Sequence, residues 1–359
     1  MTTSHPAAPH TAVVIGRFQP FHLGHLALLQ QALDRAQQVV VVLGSAGQAR
    51  SPKNPFTWQE RAALIQAALP NADQPRVRCL PMRDYYDEPR WVAAVRAGVQ
   101  ALVPQGARIA LVGHFKDGSS DYLARFPGWD LVSLPRQGDY DGTPVRDAYL
   151  STPTAELGAL WPALDTQVPA PVLRFLQEWS RTPAYAEIQQ EWQMIRGYKA
   201  AWSTAPYPPV FVTVDGFVRC KEHLLLVQRG HRPGKGLWAL PGGFVEPRDT
   251  LWQSCLRELQ EETHFPLSEA QLRECLQGVE VFDHPDRSLR GRTITHVHAL
   301  DLSHTSLPKV VGGDDAALAR WVPIQELADM ESSFFEDHFH VVRRCMARFA
   351  DWDMPVNPL

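Results

Sequence analysis

Two histidines three residues apart, His22 and His25, lie in the run Gly16-Arg17-Phe18-Gln19-Pro20-Phe21-His22-Leu23-Gly24-His25. The apolar run Val13-Val14-Ile15 ends at Gly16, where a side chain would block close approach of a ligand to the backbone. His22-Leu23-Gly24-His25 then opens a helical pattern, and a helix N-terminus favours anions through its N–H groups and its dipole. Imidazoles spaced by three share one face of that first turn. They can donate hydrogen bonds to phosphate oxygens as negative charge builds in a transition state. The bland alternative, two histidines that merely begin a helix, is weakened by the strand and glycine directly before them. No G-x-G-x-x-G run is present, which argues against a dinucleotide-binding dehydrogenase.

A second constellation lies after Leu240-Pro241-Gly242-Gly243: Asp249, then Arg257-Glu258-Leu259-Gln260-Glu261-Glu262-Thr263-His264-Phe265. Glu258, Glu261 and Glu262 stand at i, i+3 and i+4, so a helix gathers their carboxylates on one face. Like charges so placed repel unless a cation offsets them, and oxygen ligands suit magnesium, with manganese the alternative. Arg257, four residues before Glu261, can orient it. A solvated acidic face is the ordinary reading of such a run; the glycine loop and the upstream acid argue against it here.

The elements that must position these groups alternate. Short, continuous, β-branched runs at 12–15, 39–43, 77–81, 108–112 and 131–134 are separated by helical patterns at 25–36, 57–68, 90–103 and 119–125. Continuous runs suit strands buried on both faces, and strand–helix alternation marks an α/β domain with a doubly wound parallel sheet. Ligands in such domains bind beyond the carboxyl ends of the strands, where Gly16, Gly44 and Gly113 fall. Thr57 and Glu60 form a capping box; Lys53 and Arg61 beside it are candidates for phosphate or ribose contact, with a solvated loop the alternative for Lys53. A helix at 173–179 closes the first domain, and prolines punctuate the stretch after it. The expected domains are 1–183 and 206–359 joined by a linker at 184–205, the second an α+β domain with strands at 210–214, 224–228 and 293–300 around a helix at 249–263.

The 359 residues suffice for two cores, and 45% hydrophobic with 21% charged residues suit a soluble globular protein. A net charge of -4 offers no footprint for nucleic acid, and no apolar segment reaches membrane length. Five scattered cysteines form no C-x-x-C pair and read as reduced packing residues, making the cytoplasm the default location. A homo-oligomer is compatible with the sequence.

The H-x-G-H run resembles that of the nucleotidylyltransferases, in particular the nicotinamide mononucleotide (NMN) adenylyltransferases of archaeal type. Ser51-Pro52-Lys53-Asn54-Pro55-Phe56-Thr57-Trp58-Gln59-Glu60-Arg61 is similar to that branch's second stretch, and Gly142-Thr143-Pro144-Val145-Arg146 to its late motif, with Asp141-Gly142 a departure. Gly113-His114-Phe115-Lys116-Asp117 resembles a segment near the mononucleotide. The resemblance implies ATP and NMN contacts at Gly16, Arg17, Phe18, Gln19, Lys53, Asn54, Thr143 and Arg146, with His22 and His25 catalytic. It further implies attack of the mononucleotide phosphate on the α-phosphate of ATP to give NAD and pyrophosphate.

Gly243 through Phe265 resembles the Nudix box, G-x5-E-x7-R-E-U-x-E-E-x-G-U, with Asp249 in place of glutamate and His264 in place of glycine. Together the halves resemble the bifunctional adenylyltransferase–Nudix proteins, whose hydrolase half cleaves ADP-ribose to AMP and ribose 5-phosphate. Glu258, Glu261 and Glu262 are then metal ligands and catalytic, Gly243 and Arg257 belong to the site, and Arg287 and Arg292 are substrate contacts. Arg290 is a further arginine of that stretch, and Glu280, Glu326 and Glu331 are alternatives for a downstream metal-ligand acid. Asp249 shortens the reach of the acid, so hydrolytic rate turns on it. A C-terminal domain that senses ADP-ribose without cleaving it is the alternative resting on Asp249 and His264.

Overall fold

The computed structural model describes residues 9–114, 125–357 and 359. The helix expected at 119–125 and positions 115–117 of the motif after the fourth strand lie almost entirely outside them. The chain forms two compact units, divided between Gln189 and Gln190.

In the first unit the order is β1 (Thr11–Gly16), α1 (Leu23–Leu33), β2 (Gln38–Leu43), α2 (Trp58–Ala68), β3 (Val77–Pro81), α3 (Glu88–Leu102), β4 (Ile109–Gly113), β5 (Asp130–Ser133), α4 (Gly142–Ser151), α5 (Leu157–Asp165) and α6 (Ala170–Trp179). The five strands are parallel in the order β3-β2-β1-β4-β5. Val13, Val40, Val42 and Leu111 pack against Val95 and Val99 of α3, which fixes the sheet beneath its helices. The chain reverses its winding between β1 and β4, so Gly16 and Gly113 flank the crevice where such sheets take ligands.

The stretch 184–205, expected as a linker, is helical through most of its length: α7 runs from Pro183 to Ala201. Pro183 begins the helix rather than breaking it, because the first helical residue needs no N–H. The Thr182 hydroxyl accepts the Tyr185 N–H at 3.3 Å as a cap.

The second unit contains β6 (Val210–Cys220), β7 (His223–Arg229), β8 (Trp238–Ala239), β9 (Gly242–Phe244), α8 (Leu251–Thr263), α9 (Glu269–Glu274), β10 (Leu276–Phe282), β11 (Arg292–Asp301), β12 (Ala316–Pro323) and α10 (His338–Phe349). Its mixed sheet runs β10-β11-β6-β7-β12, with β8 on β7 and β9 on β6. One face packs on α8 through Leu259 against Val218, Leu225 and Leu300. The other packs on α10, where Val341, Val342 and Met346 meet Phe217, Leu224 and Leu226. All five cysteines are free thiols. Among the described residues no helix is long and apolar enough to cross a membrane.

Candidate functional sites

Beyond the carboxyl ends of β1 and β4 lies a cleft lined by Arg17, Phe18, Gln19, His22, His25, Thr143 and Arg146. Its floor is built by unusual backbone. Phe18 takes φ 53° and folds its buried ring back under the strand end. A Cβ on Gly16 would stand 2.9 Å from that ring, so the glycine makes room for Phe18 rather than for a ligand. The Gln19 side chain is committed too, donating to the Phe56 carbonyl at 2.8 Å and accepting from its N–H at 3.0 Å.

His22 caps α1 and the two histidines form a reciprocal box: the Nδ1 of each accepts the other's backbone N–H at 3.3 Å. The rings stack with centroids 3.5 Å apart. A nitrogen that accepts an amide N–H carries a lone pair, so each neutral ring holds its proton on Nε2. The backbone has thereby set both histidines as Nε2–H donors.

On the facing side, Asp141 caps α4 by accepting the Thr143 N–H at 2.9 Å. Gly142 lets that helix approach closely, since a Cβ there would lie 3.2 Å from the Gln19 carbonyl. The Asp141-Gly142 departure thus has a structural use. Arg146 donates to the Gln19 carbonyl at 2.6 Å and to the Thr143 hydroxyl at 3.3 Å; burial, then the nearby Arg17, pushes its pKa down. Arg136 and Tyr140, which no sequence motif marks, also line the cleft, Tyr140 stacking on His22.

Lys53 and Asn54 are not among the residues lining the cleft. Asn54 donates to Gln48 at 3.3 Å. Arg61, expected as a ligand contact, is instead 1% exposed and donates to the carbonyls of Arg17 (2.6 Å), Gly44 (2.8 Å) and Ser45 (3.4 Å). It clamps together the two loops that edge the crevice.

In the second unit α8 starts at a Thr250–Gln253 capping box and presents the three glutamates. Glu262 is 6% exposed and accepts the Gly242 N–H at 2.9 Å. Glu258 lies against the glycine loop, where a Cβ on Gly243 would stand 2.5 Å from its Oε1. Gly243 is therefore dictated by the carboxylate it accommodates. Glu261, the most exposed of the three, pairs with Arg257 at 2.8 Å. Arg257 also meets Glu258 at 3.0 Å and Asp249 at 3.4 Å, so the shorter aspartate still reaches its partner.

Among the described residues no three acidic, histidine or cysteine side chains form a metal-holding cluster as they stand. The donor chemistry nonetheless fits a hard divalent cation. Burial, with the charges of Glu258 and Asp215, pushes Glu262 up to about 8. Burial also raises Glu258, with Glu261 and Asp314 adding to it, and moves Asp215 to about 7. Carboxyls so crowded call for a proton or a metal, and Glu258 and Glu262 would hold one.

Asp215 and Asp314 lie outside every motif legible in the sequence. A lone acid within the apolar strand β6 is the signal that could have marked Asp215. Of the downstream acids, Glu280 pairs with Arg344 at 3.2 Å and with Arg348, Glu326 pairs with Arg320 at 3.7 Å, and Glu331 is buried in a 3₁₀ turn. Asp314 is the acid that bears on Glu258.

His264 ends α8 in the left-handed region, φ 50° and ψ 43°. Its Nδ1 lies 3.2 Å from the Val311 carbonyl and so donates to it. The Val311 and Gly313 N–H groups bond the Thr263 and Glu262 carbonyls at 3.0 and 3.1 Å, which clasps the 311–313 loop to the helix end.

Arg287, expected as a substrate contact, is engaged inside the protein. It is 5% exposed and forms a two-pronged pair with Asp337 at 2.9 and 3.0 Å. Arg292 donates to the Asp283 carbonyl. Arg290 and Arg229 have partners too, Glu336 at 3.9 Å and the Pro233 carbonyl at 2.7 Å, but they also share a ring: Arg229 lies 4.3 Å from the Phe335 ring centre, and Arg290 lies 5.9 Å from Phe335 and 5.0 Å from Phe244. Burial, then the charge of Arg290, lowers the pKa of Arg229. Two guanidinium groups flanking one ring, with the charge of Arg229 acting on Glu262, suit an anion.

Comparison with known proteins matches both halves. The family profile described as cytidylyltransferase-like matches residues 13–89, and that of the NUDIX domain matches residues 210–345. The nicotinamide/nicotinic acid mononucleotide adenylyltransferase of Acinetobacter baylyi is 36% identical over 182 residues, 50% of this chain and 92% of that protein. The crystal structure of a bifunctional NMN adenylyltransferase/ADP-ribose pyrophosphatase from Francisella tularensis superposes with a TM-score of 0.88 at 34% identity, covering 94% of this chain and 99% of that one. A second structure of that bifunctional enzyme, complexed with AMP and a manganese ion, gives 0.87 at 33% identity, covering 95% and 99%.

Proposed function

The chain belongs to the family of bifunctional NMN adenylyltransferase/ADP-ribose pyrophosphatase enzymes, and on that footing we propose that its first unit joins NMN to the adenylyl group of ATP while its second hydrolyses ADP-ribose. The observation that carries the first half is the reciprocal His22–His25 box, which supplies two Nε2–H donors at a helix N-terminus. The 5′-phosphate of NMN attacks the α-phosphorus of ATP, and pyrophosphate leaves as NAD forms. The reaction needs no nucleophile from the protein. His22 and His25 donate to phosphate oxygens as charge builds, and Arg17, Arg146 and Thr143 hold the triphosphate in line.

In the second unit Glu258 and Glu262 would hold a divalent cation, magnesium in our reading, with manganese able to replace it. When bound, such a cation lowers the pKa of a coordinated water and neutralises diphosphate charge. Arg229 and Arg290 seat the diphosphate of ADP-ribose, and Arg257 holds Glu261 and Glu258 in place. The products are AMP and ribose 5-phosphate. The free thiols suit a reducing compartment, and we place the enzyme in the cytoplasm.

Incubation with NMN, ATP and magnesium should yield NAD; none formed would refute the first half. ADP-ribose with magnesium or manganese should give AMP, and intact ADP-ribose would refute the second. Glu262→Gln keeps an acceptor for the Gly242 N–H, so it should abolish hydrolysis while NAD synthesis continues.

A further inference from the structure

A third histidine lines the first cleft with the opposite polarity. The Nδ1 of His114 lies 2.7 Å from the Leu134 carbonyl. A carbonyl oxygen can only accept, so Nδ1 carries the proton and the lone pair of the neutral ring sits on Nε2. Leu134 is itself fixed, its N–H bonding the Gly113 carbonyl at 2.9 Å. His22 and His25 thus offer Nε2–H donors, whereas His114 offers an Nε2 acceptor.

That difference sorts what each can bind. A triphosphate presents only acceptors, which suit His22, His25, Arg17, Arg136 and Arg146. It offers nothing to a histidine acceptor. The hydrogen-bond donors of a nucleotide are its ribose hydroxyls and the amino group of its base. The ribose is bonded directly to the phosphate chain, so an acceptor sharing a cleft with phosphate donors meets the ribose first. His114 also comes directly after β4, across the crevice from Arg17 after β1.

We propose that the His114 Nε2 accepts a hydrogen bond from a ribose hydroxyl of a nucleotide bound in this cleft, so that the site tells nucleoside from bare polyphosphate. The proposal rests on the adenylyl-transfer reading and names a binding residue for it. Loss of one such bond weakens binding roughly tenfold.

The test is steady-state NAD synthesis by wild type, His114→Phe and His114→Gln, the glutamine restoring an acceptor oxygen. Substrates are ATP, 2′-deoxy-ATP and 3′-deoxy-ATP with NMN, and ATP with nicotinic acid mononucleotide. His114→Phe should raise one KM about tenfold and His114→Gln should recover most of it. If the ATP ribose is held, wild type should bind one deoxy analogue about tenfold more weakly, and His114→Phe should lose nothing further with that analogue. If the mononucleotide ribose is held, the KM for NMN should rise instead, equally for amide and acid forms.

Full additive losses with both deoxy analogues and an unchanged KM for either mononucleotide would overturn the proposal. So would a loss confined to the amide form, or no recovery in the glutamine variant. Failure of wild type to make NAD would strike the underlying reading instead.

Discussion

His22 and His25 each take the other's backbone N–H at Nδ1, both at 3.3 Å, so one pair of bonds starts α1 and fixes two ring tautomers. Folding and chemistry can be separated here. His22→Asn keeps a good helix cap but has no ring Nε2–H. NAD synthesis should fall about 10²- to 10³-fold, the usual cost of one lost transition-state donor, with little change in melting temperature. His22→Ala should show the same loss and about 1 kcal/mol less stability by chemical denaturation.

Arg61 joins the Arg17, Gly44 and Ser45 carbonyls from a buried position, and burial lowers its pKa to about 10, still charged at neutral pH. Arg61→Met fills similar volume without donors. The orphaned carbonyls should cost about 2 kcal/mol in urea unfolding, and the KM for ATP should rise as the loops part.

Arg290 is expected to act on the hydrolytic substrate alone. Arg290→Gln removes a charge-assisted bond of about 1.5–3 kcal/mol, so the KM for ADP-ribose should rise roughly 10- to 100-fold. NAD synthesis measured on the same preparation should not change.

His338 accepts the Leu240 N–H through Nδ1 at 3.2 Å and is 9% exposed. Burial, with Arg287, Arg229 and Arg290 nearby, holds its pKa well below 6.5. The unfolded ring binds a proton below about pH 6.5 and the folded ring does not, so this group's contribution to stability is lost as pH falls. Between pH 7.5 and 5.5 wild type should lose about 1 kcal/mol more than His338→Gln, read from urea unfolding at each pH.

The parallel sheet was legible because strands buried on both faces are written as unbroken apolar runs: β2 is Gln-Val-Val-Val-Val-Leu, and all but its first residue are buried. The two motifs were legible because their groups lie within one or two helical turns. Long-range partnership was not. Nothing near Arg287 announces Asp337, fifty residues on, and nothing near Arg61 announces the Arg17 carbonyl. An arginine beside a motif therefore reads equally as ligand contact or as clamp until the fold chooses. Glu261 shows a related limit at short range, because spacing puts it on the acid face without saying that one arginine, Arg257, holds both it and Glu258. The helical character of the connecting stretch is hidden for another reason, since Pro183 can begin a helix as well as end one.

His264 is where a consensus-guided redesign would start, by restoring the glycine. That change would relieve a left-handed residue, roughly 1–2 kcal/mol in favour of the variant. It would also remove the imidazole bond to the Val311 carbonyl, leaving the 311–313 loop held to the helix end behind Glu262 by its two backbone bonds alone. At this position backbone strain favours glycine while the loop bond favours histidine, so a library scored on thermostability alone would be blind to one of the two.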